Sequence, residues 1–185
     1  MITDADGIVH LLSTDGGKTW KDLGTGFAEK GPIGIVDEKT LLATKNRVLS
    51  RSTDGGETWT KVMDVVTGGP QSPVNQTIYF VKGVGYFMTD KGMMVSKDKG
   101  ATWAVQGSAV NAPTGPLFGK DENHFAAVGP EGIYETKDAG TTWRQVAPLP
   151  PGLGPRDITY GWDSIRNIFY AAQGGKPAMK CSLGE

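Results

Sequence analysis

Few residues in this chain have the types and spacings that do chemistry. Gly16 to Thr19, GGKT, echo a phosphate-binding loop, but that loop needs a glycine five residues before the one preceding the lysine, and position 12 is Leu. Asp4, Asp6 and Gly7 resemble the start of a calcium loop, yet no acidic residue follows at the later ligand positions, so an exposed turn is expected. His10 and His124 are the only histidines and Cys181 the only cysteine. No Ser/His/Asp or Cys/His set is argued from them, no internal disulfide can form, and no metal or other cofactor is expected. Cys181 reads as a buried thiol. The sequon NQT at Asn75 to Thr77 matters only in a chain secreted by a eukaryote.

Four aspartates stand out because their surroundings repeat. Asp15, Asp54, Asp98 and Asp138 each lie third in an eight-residue run: STDGGKTW at 13–20, STDGGETW at 52–59, SKDKGATW at 96–103 and TKDAGTTW at 136–143. Such a carboxylate can fold back onto nearby backbone N–H groups. Ser13, Ser52, Ser96 and Thr136 add a hydroxyl, and Gly17, Gly56, Gly100 and Gly140 can take positive φ. Thr then begins the next strand with Trp20, Trp59, Trp103 or Trp143, whose indoles are expected to pack between or within repeats. The chemistry of the motif is that of a turn.

The elements that position these turns follow from the period, since the runs recur at steps of 39, 44 and 40 residues. A short apolar strand precedes each run, GIVHLL at 7–12, RVLSR at 47–51, GMMV at 92–95 and GIYE at 132–135. Upstream lie LLAT at 41–44, GYFMT at 85–89 and HFAAV at 124–128, and before them GPIGIVD at 31–37, QTIYFV at 76–81 and GPLFGK at 115–120. A fourth strand starts at each Trp. Four short strands in about 40 residues fit the blade of a β-propeller, whereas a helical solenoid needs a spacing that these Gly-broken, β-branched runs lack.

At this point a resemblance is specific. The pattern S/T-x-D-x-G-x-T-W resembles the Asp-box, or BNR, repeat of sialidases, sortilin-type receptors, some other glycoside hydrolases and photosystem II assembly-factor propellers. It covers residues 7–146 and implies an all-β propeller in which the boxes are fold elements on the outer part of the blades, away from the ligand face. In sialidases the resemblance implies an arginine cluster, a Tyr with a Glu partner and an acidic Asp. None of the five arginines, Arg47, Arg51, Arg144, Arg156 and Arg166, sits in a matching motif, so no catalytic residue carries over.

The face opposite the boxes is where ligand-binding residues are expected. Arg156 follows the loop APLPPGLGP (147–155), with Tyr160 and Trp162 at alternate positions of the next strand; Lys45, Asn46, Asp90, Lys91 and Glu131 belong to turns that would share that face. The competing reading makes Arg156 a solvated loop residue and the two aromatics core filling.

The remainder bounds the class. A composition 38% hydrophobic and 21% charged is globular, and a formal charge of -1 gives no electrostatic case for nucleic acid or an anionic membrane. No apolar run reaches the length of a membrane span, and Met1 to His10 lacks signal-peptide character, although the resemblance points to an extracytoplasmic setting. The expected domain is a single propeller over 1–185, with full blades at about 31–64, 73–107 and 113–147 and remnants at 1–24 and 155–185, about four and a half blades in all. DITYGW (157–162), NIFYAA (167–172) and PAMKC (177–181) supply three strands and stop at Ser182, where a box would begin. The chain reads as the C-terminal part of a larger propeller rather than a whole five-bladed one, which would close by exchanging strands between its ends; a partner chain is the other way to cover open edges. The expected function is a noncatalytic binding or assembly platform for a protein partner or glycan. The alternative is part of a sialidase-like glycoside hydrolase with its main catalytic residues elsewhere.

Overall fold

Short runs of aliphatic and aromatic residues, broken every few positions by Gly or Asp turns, satisfy their backbone groups by pairing laterally. They do so in a computed structural model that describes residues 2–4, 7–9, 11–13, 15–22, 33–45, 48–64, 78–89, 92–112, 114–149, 158–173 and 177–183. Among these residues there are nineteen strands and no helix. Strand β1 (Ile2–Asp4) pairs with β2 (Gly7–Val9), and β3 (Leu11–Leu12) with β4 (Lys21–Asp22). Three four-stranded sheets follow, each in sequence order. They are β5 (Ile33–Ile35), β6 (Leu41–Lys45), β7 (Val48–Ser52) and β8 (Thr60–Asp64); β9 (Tyr79–Val81), β10 (Val84–Thr89), β11 (Gly92–Ser96) and β12 (Ala104–Gln106); and β13 (Thr114–Phe118), β14 (Phe125–Gly129), β15 (Gly132–Thr136) and β16 (Arg144–Ala147). A three-stranded sheet of β17 (Ile158–Asp163), β18 (Ile168–Gln173) and β19 (Met179–Ser182) closes the series. This is the all-β propeller fold class that the repeat predicts.

By contacts the chain divides into two compact units. One comprises Met1–Val65, Ile78–Gly85 and Ser96–Trp103; the other comprises Val66–Thr77, Tyr86–Val95 and Ala104–Glu185. In the first, Leu41, Leu42, Ala43, Leu49 and Ile78 form the core, and Gly34 lies so close under Ile78 that a Cβ there would stand 2.8 Å from its side chain.

In the second unit the β13–β16 sheet is covered on both faces, which is why FAAVG in β14 is apolar without alternation and buried at every position. On one face Ala126, Val128 and Ile133 meet Tyr160, Phe169 and Ala171 of the last sheet. On the other, Phe125 and Ala127 meet Met88, Met93, Val110 and Ala112. Phe125 is fully buried, with the rings of Tyr86 and Phe118 at 5.3 and 5.4 Å, a placement that stabilises by roughly 1.5–3 kcal/mol.

Two expectations need correction. Trp59, Trp103 and Trp143 are partly covered, but Trp20 is 59% exposed. Cys181 is half-buried at the margin of the last core cluster.

Candidate functional site

Each repeated turn is built by one hydroxyl and one carboxylate. In the first, Ser13 Oγ donates to Asp15 Oδ1 at 2.8 Å and accepts the N–H of Gly17 at 2.7 Å. Asp15 accepts the N–H groups of Lys18 and Thr19 at 3.0 and 2.9 Å and the Thr19 hydroxyl at 2.6 Å, while Trp20 Nε1 donates to the Gly17 carbonyl at 3.1 Å. The same frame holds Ser52, Asp54, Gly56, Thr58 and Trp59, and again Ser96, Asp98, Gly100, Thr102 and Trp103. It recurs with Thr136, Asp138, Gly140 and Thr142, where Trp143 Nε1 has no partner among the described residues.

The backbone explains the glycines. The residue after each aspartate and the glycine that follows are both left-handed, with φ of 74° and 87° at Gly16 and Gly17 and of 57° and 80° at Lys99 and Gly100. The conserved geometry at the second position has an additional steric cause. A Cβ on Gly100 would lie 2.7 Å from Leu42 Cδ1, and one on Gly140 would lie 2.3 Å from Met93 Cε. Each of these two turns therefore seats its glycine against an apolar side chain of the preceding sheet.

These donors also fix the charge state. The hydroxyl and N–H of Thr19, with the Ser13 hydroxyl, hold Asp15 at about 2, against 3.8 ordinarily. Thr102 does the same to Asp98 and Thr142 to Asp138, each at about 2, and the hydroxyl and N–H of Thr58 hold Asp54 well below the usual carboxylate range. At neutral pH none of the four holds a proton to give.

One buried polar cluster lies beside the fourth turn. His124, which precedes β14, and Glu135, in β15, are both buried, with Nε2 and Oε1 2.8 Å apart. His124 Nδ1 accepts the Lys120 N–H at 3.4 Å, so Nε2 carries the proton donated to Glu135. Gly119 is required beneath it, since a Cβ there would stand 2.6 Å from the imidazole. Lys137 and Arg144 reach Glu135 Oε2 at 3.7 and 3.4 Å. Burial pushes the Glu135 carboxyl up, but the hydrogen bond from His124 and the two neighbouring cations outweigh it, and the net displacement is downward. The Trp162 indole meets the imidazole edge-on at 4.7 Å. Both ring nitrogens of His124 are engaged. The cluster is a clamp between β14, β15 and β17.

The expected ligand residues fall out differently. Arg156, Asn46, Asp90 and Lys91 lie outside the described residues, and Lys45 is placed only as the last residue of β6. Tyr160 is a core residue: it is 8% exposed, packs against Phe169, and burial pushes its phenol up to about 12. Trp162 faces the same core, while Glu131 is exposed in the β14–β15 turn, its carbonyl accepting Gln145 Nε2 at 2.7 Å.

The BNR/Asp-box repeat family model matches residues 11–22 and 50–61, the first two of the four turns just described. The chain carries BNR/Asp-box repeats. It is 30% identical over 156 residues to the dispase autolysis-inducing protein of Streptomyces mobaraensis, which covers 80% of this chain and 40% of that protein. It is also 30% identical over 174 residues to the xyloglucanase Xgh74A of Acetivibrio thermocellus, covering 86% of this chain and 18% of the enzyme. Among solved structures, the GH74 enzyme of Niastella koreensis superposes with a TM-score of 0.62 at 19% identity, over 93% of this chain and 27% of the enzyme. The chain thus spans less than half the length of each of these three proteins.

His124 and Glu135 are what reading the BNR repeats as turns overlooks. The signal was present, since Glu135 occupies the last position before the box, where the other repeats have Leu12, Arg51 and Val95.

Proposed function

We propose that this BNR/Asp-box chain is a binding platform, a set of rigid blades that presents loops to a protein partner or a glycan without hydrolysing it. The observation that carries the reading is the direction of the carboxylate shifts. Among the described residues, every carboxyl displaced from its ordinary range is displaced downward: Asp15, Asp37, Asp54, Asp98, Glu135, Asp138 and Asp163. Glycoside hydrolysis of the two-carboxylate kind needs one carboxyl kept protonated near neutrality. The name of the dispase autolysis-inducing protein describes an effect on another protein, which supports a protein-directed role. Arg156, Lys45, Asn46, Asp90, Lys91 and Glu131 are the proposed contact residues, in an extracytoplasmic setting.

A second reading makes the chain part of a glycoside hydrolase whose catalytic residues lie elsewhere. What favours it is the 30% identity to a xyloglucanase, which moves the expected substrate from sialosides to xyloglucan. Incubating the chain with xyloglucan and with a fluorogenic sialoside, while measuring both product release and retention on the polymer, separates the two. Retention or partner capture without product supports the platform; product release overturns it.

A further inference from the structure

The two nitrogens of the buried His124 ring meet partners that respond differently to a proton. At Nε2 the ring donates to Glu135 Oε1 of β15 at 2.8 Å, a bond that survives protonation and becomes charge-assisted. At Nδ1 it accepts the backbone N–H of Lys120 at 3.4 Å, a bond that only the neutral ring can make. A proton added at Nδ1 sets two donors against each other.

The ring has little room to turn away. A Cβ on Gly119 would lie 2.6 Å from the imidazole Cγ and 2.7 Å from Nδ1, so backbone already closes that side. Trp162 of β17 stands edge-on at 4.7 Å. The charged groups of the surrounding elements are already engaged with one another. Lys137 and Arg144 lie 3.7 and 3.4 Å from the second oxygen of Glu135, and Asp163 of β17 pairs with Arg166 at 2.9 Å. In the adjoining turn, with Lys120 and Glu122, Asp121 Oδ1 accepts the Asn123 N–H at 2.8 Å.

What can give is that turn. Lys120, Asp121, Glu122 and Asn123 are all exposed, between β13 and β14. Within it the Gly119 N–H donates to the His124 carbonyl at 2.7 Å and the His124 N–H to the Asp121 carbonyl at 3.2 Å. The Asn123 carbonyl then accepts the N–H of Ala139 at 2.9 Å, the left-handed residue after Asp138 in the fourth box. The imidazole is thus joined to the box through the turn.

We propose that His124 is a pH-operated latch: protonation at Nδ1 expels the Lys120 N–H and frees the 120–123 turn that braces the fourth box, while the bond to Glu135 keeps β14 and β15 together. Water takes up the freed N–H, because Lys120 is exposed. The bond lost at Nδ1 is offset by charge assistance at Nε2, so the opening is local and the melting midpoint of the whole chain does not move with it.

Nitrogen-15 NMR of the full chain from about pH 8 to 5, the range in which imidazoles as a class change charge, tests the latch. The His124 ring shifts are expected to show the Nε2–H tautomer at the alkaline end and the doubly protonated ring toward the acid end. In step with that change, exchange of the Lys120 amide, corrected for its intrinsic pH dependence, is expected to rise roughly five- to tenfold, the loss of one hydrogen bond. The Ala126 and Ala127 amides of β14 are expected to stay protected. His124→Phe is expected to leave Lys120 exchanging fast at every pH. Glu135→Gln keeps an acceptor for Nε2–H but removes the charge, and is expected to shift the step to lower pH. An Nδ1–H tautomer at the alkaline end, or a ring that stays neutral throughout, overturns the proposal. So does Lys120 exchange that ignores the ring's titration, or a step that Glu135→Gln leaves in place.

Discussion

Ser13 and Ser52 make the same hydrogen bonds in different surroundings, and replacing each with alanine separates burial from bonding. Ser52 is 1% exposed; its Oγ accepts the N–H of the buried Gly56 at 2.8 Å and donates to Asp54 at 2.7 Å. Ser52→Ala leaves the Gly56 N–H without a partner where water does not reach it, a loss of about 1–3 kcal/mol. At roughly 2–4 °C per kcal/mol for a chain of this size, a loss of about 2 kcal/mol lowers the melting midpoint by about 4–8 °C. Ser13 accepts the Gly17 N–H at 2.7 Å and donates to Asp15 at 2.8 Å, but Gly17 is exposed. Water replaces the hydroxyl there, so Ser13→Ala is expected to cost less than about 1 kcal/mol. Calorimetric melts of the two variants and wild type in one buffer make the comparison. Equal shifts would refute the reasoning, because the bond lengths would then set the cost and burial would not.

Three further outcomes are expected. Glu135→Leu strands the buried Nε2–H of His124 and costs about 1–3 kcal/mol by urea titration, and adding His124→Phe restores most of the loss; additive losses would show that the clamp is not a unit. Asp15, Asp98 and Asp138 have folded-state values of about 2 against 3.8, so their contribution is complete above the ordinary carboxylate range and is lost as pH falls toward 2. The thermal midpoint is therefore flat from about pH 5 to 7 and drops below about pH 4; a decline beginning near neutrality would contradict this. Gly16 and Gly100 both have positive φ, but only at Gly100 does an added Cβ collide, with Leu42 at 2.7 Å. Gly16→Ala is expected to cost about 1 kcal/mol and Gly100→Ala clearly more in the same melts.

The fold was legible because its signals are local. The Ser or Thr, Asp, Gly and Thr of each box, and the Trp of the first three, make their bonds within the eight-residue run, so spacing alone exposes the turn, and the flanking strands follow from the period. The first left-handed position, directly after the aspartate, was also written in the sequence, as GG in two boxes, but Lys99 and Ala139 occupy it in the others and hide the requirement. Contacts between sheets were not legible. That Trp162 leans on His124 and that Trp20 is 59% exposed depend on which face of a strand meets which neighbour. The His124–Glu135 clamp joins residues from different strands, so each looked unremarkable in its own run.

The polar residues of these repeats hold the fold, and among the described residues no carboxyl is displaced toward keeping a proton. The most direct measurement is sugar release by the intact chain from xyloglucan and a fluorogenic sialoside, taken from about pH 4 to 8, the window in which a glycosidase carboxyl pair titrates. The account predicts no release above the buffer rate at any pH. A bell-shaped profile of product formation that scales with chain concentration would contradict it.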